Sequence, residues 1–435
     1  MDYYNLVSFA GIFVLMGVAW LLSPDKRRMN WRVILWGLAL QMLFALFIFV
    51  APAGTRVFLW INDAVTKVLD CAGAGSRFVF GRLALPPGTA DGDGNESLGF
   101  FFAFQGLPTI VFFSALMGLL YFFKIMPLVV RGFAHVFTKL MRVSGAESLC
   151  VSSEIFLGIE SSLAVRPYIE RMTKSELTTI LTAGMATVAS NVLAIYVFML
   201  RSDFPAIAGH LVSASVLAAP SALVMSKILM PESERPVTLG LRVKPEYTRD
   251  DSAIDAVITG ANAGLKLIAG IAGLLLAFLG LVALTDLILN GLGGGLNSLL
   301  GTRLQWSLRG LLAWVFYPFT LVIGVPVQDA LAVARLIGER SVLTEVTAYK
   351  DLAVLLRQGA ISDPRSTVIC TYALCGFAHV ASLAVFIGGI SALAPSRRGD
   401  LARLGPRALL AATLACLLTA AVAGTFYNHH MLLIR

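Results

Sequence analysis

Charge is scarce in this chain. Of 435 residues only 14% are Asp, Glu, Lys or Arg, against about 25% in soluble proteins, which excludes a string of ordinary soluble domains. Cysteine is scarce as well. Cys71, Cys150, Cys370, Cys375 and Cys416 have no paired metal-site spacing and no disulfide framework, and they read as buried, inert thiols. The glycine-rich AGAGSRFVFG at 72–81 lacks the G-x-x-x-x-G-K-[ST] pattern, so a nucleotide-hydrolysing loop has no support. No nucleophile–base pair and no credible zinc cluster is visible, so an enzyme is not expected, nor a resident cofactor. No basic segment precedes the first apolar stretch, which predicts a retained span rather than a cleaved leader.

What fills the chain is apolar sequence: 57% of it is hydrophobic and the mean hydropathy is +0.80. Between Lys266 and Asp286 run 19 uncharged residues, close to the ~20 that cross a hydrocarbon core. Eight such spans are expected, near 7–24, 31–53, 101–123, 176–200, 206–229, 264–290, 363–390 and 408–427. The net charge of +8 is not a nucleic-acid footprint, because the basic residues sit in short loops. Lys26, Arg27, Arg28 and Arg32 mark the first loop, and Arg235, Arg242, Lys244 and Arg249 a later one. Arg397, Arg398, Arg403 and Arg407 mark the last. By the positive-inside rule these loops face the cytoplasm and both termini the periplasm, with the acidic DGDGNES at 91–97 also outside.

Two stretches fit poorly as lipid-facing spans. Residues 144–171 are interrupted by Glu147, Glu154, Gly158, Glu160 and Pro167, and residues 322–352 by charges and Gly338. Carboxylates and irregular backbone at membrane depth survive only inside protein or beside a water-filled cavity. Both stretches therefore predict re-entrant helical hairpins entering from opposite sides, each followed by two long spans. The expected fold is an all-α polytopic membrane protein with eight transmembrane helices plus two re-entrant helical hairpins in inverted repeats. That plan is common in secondary transporters. Its expected parts are N-terminal spans at 1–100, a third span and interfacial helix at 101–143, and a first hairpin and repeat at 144–229. A scaffold span follows at 230–321, then a second hairpin and repeat at 322–427 and an external tail at 428–435.

The polar residues inside these units are the candidates for chemistry. Glu160 in FLGIESSL and Glu345 in VLTEVTAY fall at the two predicted hairpin turns, where burial would demand a partner, a cation or a proton. Asn191 follows Thr187 and Ser190 within the fourth span; such groups either tie neighbouring helices together or supply oxygen to a hard cation. His379 and Ser382, three residues apart, would share one helical face. His379 is either a packed neutral ring, a substrate contact or a proton carrier.

Several of these segments resemble the concentrative nucleoside transporter family. The likeness lies in SGAESL at 144–149, GIESSLAVRPYI at 158–169, MTKSEL at 172–177 and SASVLAAPSALVMSKILMPE at 213–232. It continues in IGVPVQDA at 323–330, TEVTAY at 344–349 and TYALCGFAHVASLAVFIGGISALAPSRRGDLARLG at 371–405, and covers roughly residues 70–427. The resemblance implies a bacterial inner-membrane homotrimer among membrane lipids, moving nucleosides by an elevator-like mechanism coupled to sodium or protons. It implies substrate contacts at Glu160, Val192, Glu345, Phe377, His379 and Ser382. It also implies a sodium site at Ser153, Thr187 and the carbonyls near Phe156 and Val188.

The chain departs from the family pattern at three kinds of position. Gly158 and Ile159 stand where sodium-coupled members carry two base-contacting polar residues, His379 replaces a usual asparagine, and Ser153 another. A substrate polar group left unpaired would cost about 1–3 kcal/mol, so base recognition is expected to be altered. Uptake of a different polar metabolite and a non-transporting receptor or scaffold stand as the alternatives.

Overall fold

The computed structural model describes residues 2–92, 94–243, 250–300 and 306–428. Lys244, Arg249, Asp93 of the acidic loop and the tail beyond 428 lie outside the described residues. The architecture is helical, with isolated β-bridges but no strand among the described residues. Two apolar helices, α1 (Tyr3–Leu21) and α2 (Trp31–Phe49), lead into the long amphipathic α3 (Pro52–Phe80). One-turn α4 (Phe102–Gln105), α5 (Pro108–Phe122) and α6 (Ile125–Met141) follow. The first hairpin comprises α7 (Gly145–Glu154), a 3₁₀ segment at Ile159–Val165 and one-turn α8 (Arg166–Ile169). Behind it come α9 (Lys174–Ala186), α10 (Ser190–Leu200) and α11 (Ile207–Leu229). The 48-residue α12 (Ala253–Leu300) and α13 (Leu308–Val322) connect to the second hairpin, α14 (Val327–Val342) and α15 (Glu345–Arg357). Then α16 (Pro364–Leu374), α17 (Val380–Leu393) and α18 (Arg398–Phe426) complete the same hairpin-and-two-spans order.

Seven of the expected spans correspond to helical stretches long and apolar enough to cross a membrane. The other, at 363–390, is divided into α16 and α17, and the fourth span is also interrupted, between α9 and α10. Broken helices after each hairpin are what the inverted-repeat plan expects; the continuous span limits read from hydropathy do not mark where the breaks fall. Backbone freed inside apolar surroundings must find partners within the protein, and it does. The Ser190 N–H donates to the Phe156 carbonyl at 2.9 Å, and the Val188 N–H donates to Ser215 Oγ at 3.2 Å. Ser215 returns its own proton to the Val188 carbonyl at 3.2 Å, while the Cys416 thiol donates to the Cys375 carbonyl at 3.0 Å. The glycine-rich 72–81 segment lies in and just beyond α3 as helix, not as a phosphate loop.

Burial grades inward from the first two helices to the repeat units. The apolar windows of α9–α10, α11 and α18 are 83%, 89% and 78% buried, whereas that of α12 is 6% buried. Here α12 presents an apolar surface almost all round, as a helix facing lipid or another subunit does. It meets α5 at a glycine seam: a Cβ on Gly118 would lie 2.5 Å from the Ala256 carbonyl oxygen, so the two backbones touch.

Two buried polar networks staple the units. Ser144 and Thr173 each close a capping box, with Glu147 and Glu176, at the starts of α7 and α9. Ser144 Oγ also donates to Glu176, and Lys227 of α11 lies 2.7 Å from Glu147 and donates to Ser175 Oγ at 3.0 Å. In the second unit Arg365, with no exposed surface, donates to the Gly324 and Tyr4 carbonyls at 2.8 Å and the Gly424 carbonyl at 2.9 Å. It also reaches Asn5 Oδ1 and Ser8 Oγ at 2.6 Å, which fastens α16 to α1 and α18.

Candidate functional site

Four helix starts converge on one cavity of about 130 Å³. The 3₁₀ segment begins at Ile159 and α10 at Ser190, while α15 begins at Glu345 and α17 at Val380. All four contribute lining residues: Ile159 and Glu160, Asn191 and Val192, Glu345, and Ser382 with its cap His379. Free N–H groups and the positive dipole end favour negative charge at a helix start, and Glu345 sits at such a start, that of α15.

His379 is not on a helical face beside Ser382, as the spacing predicts; it is the N-cap of α17. Its Nδ1 accepts the Ser382 backbone N–H at 3.2 Å. That places the proton of a neutral ring on Nε2, which lies 2.9 Å from Glu345 Oε2. Tyr196 donates its hydroxyl proton to Glu345 Oε1 at 2.7 Å and stacks on Tyr349 with ring centroids 4.5 Å apart. Glu345 is 3% exposed and thereby held from two sides, with the cavity on the third.

Glu160 differs. It lines the cavity too, but it is exposed and has no hydrogen bond or ion pair from the described residues, contrary to the expectation of burial. It also borders a neighbouring cavity of about 460 Å³ that Asn191 and Gly158 share. Ser382 and Asn191 offer acceptors, and the Thr344 hydroxyl lines the cavity as well. Ser382 Oγ spends its proton on the His379 carbonyl at 2.9 Å and also abuts the Phe377 carbonyl. Asn191 donates to Ser114 Oγ at 3.3 Å, leaving its buried Oδ1 unbonded. Val192, Phe377, Ile159 and Gly158 line the same cavity, joined by Phe386 and by Leu267 and Ile271 of α12.

The predicted cation residues gather around the first break. Ser153 Oγ donates to the Leu149 carbonyl and Thr187 Oγ1 to the Ala183 carbonyl, both at 2.9 Å. Their lone pairs therefore remain available. The Phe156 and Val188 carbonyls accept one bond each from Ser190 and Ser215, and a carbonyl oxygen has a second lone pair. An all-oxygen set of this kind suits a hard cation.

The two breaks meet at Gly376. Its φ of +129° lies in glycine territory, and a Cβ there would fall 2.7 Å from the Ala186 carbonyl oxygen and 2.8 Å from Cys416 Sγ. Gly376→Ala is therefore expected to destabilise the protein by about 2–3 kcal/mol. The check is thermal unfolding of the purified protein; an unchanged midpoint would show that the crossing tolerates a methyl group.

Comparison with known proteins gives the site its context. Residues 210–424 match the family described as Na+ dependent nucleoside transporter C-terminus, and residues 10–83 its N-terminus. Residues 103–203 match a nucleoside recognition family called Gate. An uncharacterised transporter of Bacillus subtilis (strain 168), YutK, is 38% identical over 96% of this chain and 98% of its own. This chain belongs to the concentrative nucleoside transporter family.

Solute carrier family 28 member 3 of Mus musculus is 36% identical over 98% of this transporter, which spans 61% of that relative's length. The solved structure of CNTnw in an inward-facing, substrate-bound state matches it with a TM-score of 0.85 at 35% identity, covering 97% of this chain and 98% of that one. The chain is accordingly a multi-pass membrane protein of this family. Within this concentrative nucleoside transporter family member, two residues that buttress the site and the second helix break lie outside what the sequence pattern singles out. Tyr196 reaches Glu345 across 149 residues of sequence. Arg340, with no exposed surface, donates to the Ala373 carbonyl at 2.7 Å and sets a positive charge at the C-terminal end of α16.

Proposed function

We propose that the chain takes up nucleosides together with sodium, as a homotrimer in the bacterial inner membrane with both termini periplasmic. One observation carries this reading: the cavity is divided between hydrogen-bond acceptors and apolar surface. Glu345 Oε2, the Glu160 carboxylate, Asn191 Oδ1 and Ser382 Oγ all lack protons to give, so they suit a ligand rich in hydroxyl donors, as ribose is. Val192, Phe377 and Phe386 suit the flat apolar faces of a base.

The coupling reading rests on the same geometry. The free lone pairs of Ser153 and Thr187 and the carbonyls of Phe156 and Val188 would hold sodium. The Tyr196–Glu345 bond joins the first repeat to the second, which favours a single body moving in an elevator-like step.

Proteoliposome uptake of labelled uridine, cytidine and adenosine, with sodium and pH gradients imposed separately, tests the proposal. Sodium-driven accumulation is the expected result; accumulation that follows only the pH gradient would replace sodium with protons. No accumulation of any nucleoside would sink the assignment, and retained binding without movement would favour a receptor. Gly158 and Ile159 offer no side-chain polar atom to a base edge, so the three nucleosides should differ by less than about tenfold. Removing the 2′ and 3′ hydroxyls should instead cost about 100-fold, read as apparent affinity. The same missing groups favour a second reading, transport of another hydroxyl-rich metabolite. Competition of uridine uptake by a panel of such compounds distinguishes the two.

A further inference from the structure

A large basic hollow lies away from the transport cavity. With a volume of about 910 Å³, it is bordered by the start of α2, the end of α6, the start of α7 and the segment 232–242. Arg32, Lys139, Arg142, Arg235 and Arg242 all line it, with His135 beside them. None of these side chains forms an ion pair among the described residues. Three carboxylates line it as well. Glu147 and Glu232 are engaged by Lys227, at 2.7 and 3.6 Å. One lysine cancels one of the two, so a second carboxylate and Glu234 are left against the five rim cations. The positive-inside rule accounts for basic residues in loops, but not for their convergence, from separate chain segments, on one hollow. Like charges brought together raise each other's energy unless a counter-charge joins them.

The hollow is built, not incidental. Its outer wall is pinned where the Gly145 N–H donates to the Thr238 carbonyl at 2.9 Å and the Ala146 N–H to Thr238 Oγ1 at 3.1 Å. Arg142 holds φ +54°, a left-handed backbone where glycine would be unstrained. A long cationic side chain is kept there nonetheless. The border is also apolar: Trp31, Leu35, Val237, Leu239 and Leu241 are exposed around it. Aromatic and aliphatic side chains beside basic ones mark the headgroup level of a bilayer, where a phosphate and acyl chains are met together.

We propose that this hollow binds a phosphate group, presented as the headgroup of an anionic phospholipid. The cationic rim holds the phosphate oxygens, and the exposed Trp31, Leu35 and Val237–Leu241 border lies against the acyl chains. The site stands apart from the nucleoside cavity and does not depend on what that cavity carries.

Native mass spectrometry of the full chain in detergent, titrated with phosphatidylglycerol or phosphatidylcholine, provides the test. Phosphatidylglycerol should be retained at least about tenfold better, and the preference should shrink as salt is raised. The variants Arg235→Gln/Arg242→Gln and Lys139→Gln/Arg142→Gln should each lower retention about tenfold or more. Equal retention of the two lipids, indifference to salt, or wild-type retention in both variants would overturn the proposal. Displacement of phosphatidylglycerol by millimolar inorganic phosphate would overturn the lipid source, while supporting a site for phosphate itself.

Discussion

Glu345→Gln is expected to weaken nucleoside binding by about 100-fold while leaving the protein folded and inserted. A glutamine still accepts from Tyr196 through its oxygen. Its NH₂ group, however, then faces the Nε2–H of His379 where Glu345 Oε2 lay 2.9 Å away. Two donors oppose each other, and the ring cannot switch tautomer without surrendering the Ser382 N–H bond to Nδ1. The acceptor offered to the substrate is lost with the charge. Tyr196→Phe, which removes only the 2.7 Å bond to Oε1, should cost about tenfold. Calorimetric titration of purified protein with nucleoside measures both, with size-exclusion profiles as the folding control. Wild-type affinity in Glu345→Gln would remove this carboxylate from the binding site.

Arg365→Met should be the most destabilising single change, by about 3–5 kcal/mol, with thermal unfolding or expression yield as the measure. The side chain matches in bulk but has no donors. Five acceptors now served by Arg365, on Tyr4, Asn5, Ser8, Gly324 and Gly424, would be left with none from this position. Arg365→Lys keeps the charge but offers fewer donors in a different geometry, and should fall between the two. A midpoint within a degree of wild type for Arg365→Met would show that α1, α16 and α18 are held by packing alone.

Much of the site was legible because carboxylates inside apolar sequence are costly and therefore conspicuous. Glu345, His379, Ser382, Val192 and Phe377 do line one cavity. The positions of the helix breaks were not legible. The interrupting residues, Thr-Val-Ala at 187–189 and Cys-Gly-Phe-Ala at 375–378, are as apolar as their flanks, and the groups that satisfy the freed backbone, Ser215 and Cys416, come from helices distant in sequence. His379 was placed on a helix face for the same reason. Glu160 was expected buried because its neighbours are apolar, yet Leu157, Gly158 and Ile159 leave it no polar partner to hold it inward. Tyr196 sits among Ile195, Val197 and Phe198 and carries no local sign of its bond to the second repeat.

That bond has a bearing on the unloaded carrier. A symporter completes its cycle only if the empty protein makes the return journey, and the halves of a binding site held together solely by cargo would drift apart once the cargo left. Here a tyrosine of one repeat grips a glutamate of the other directly, and His379 sits against that glutamate from the opposite side. Protein atoms alone carry this tie, so the two repeats are coupled by a bond that cargo does not have to supply.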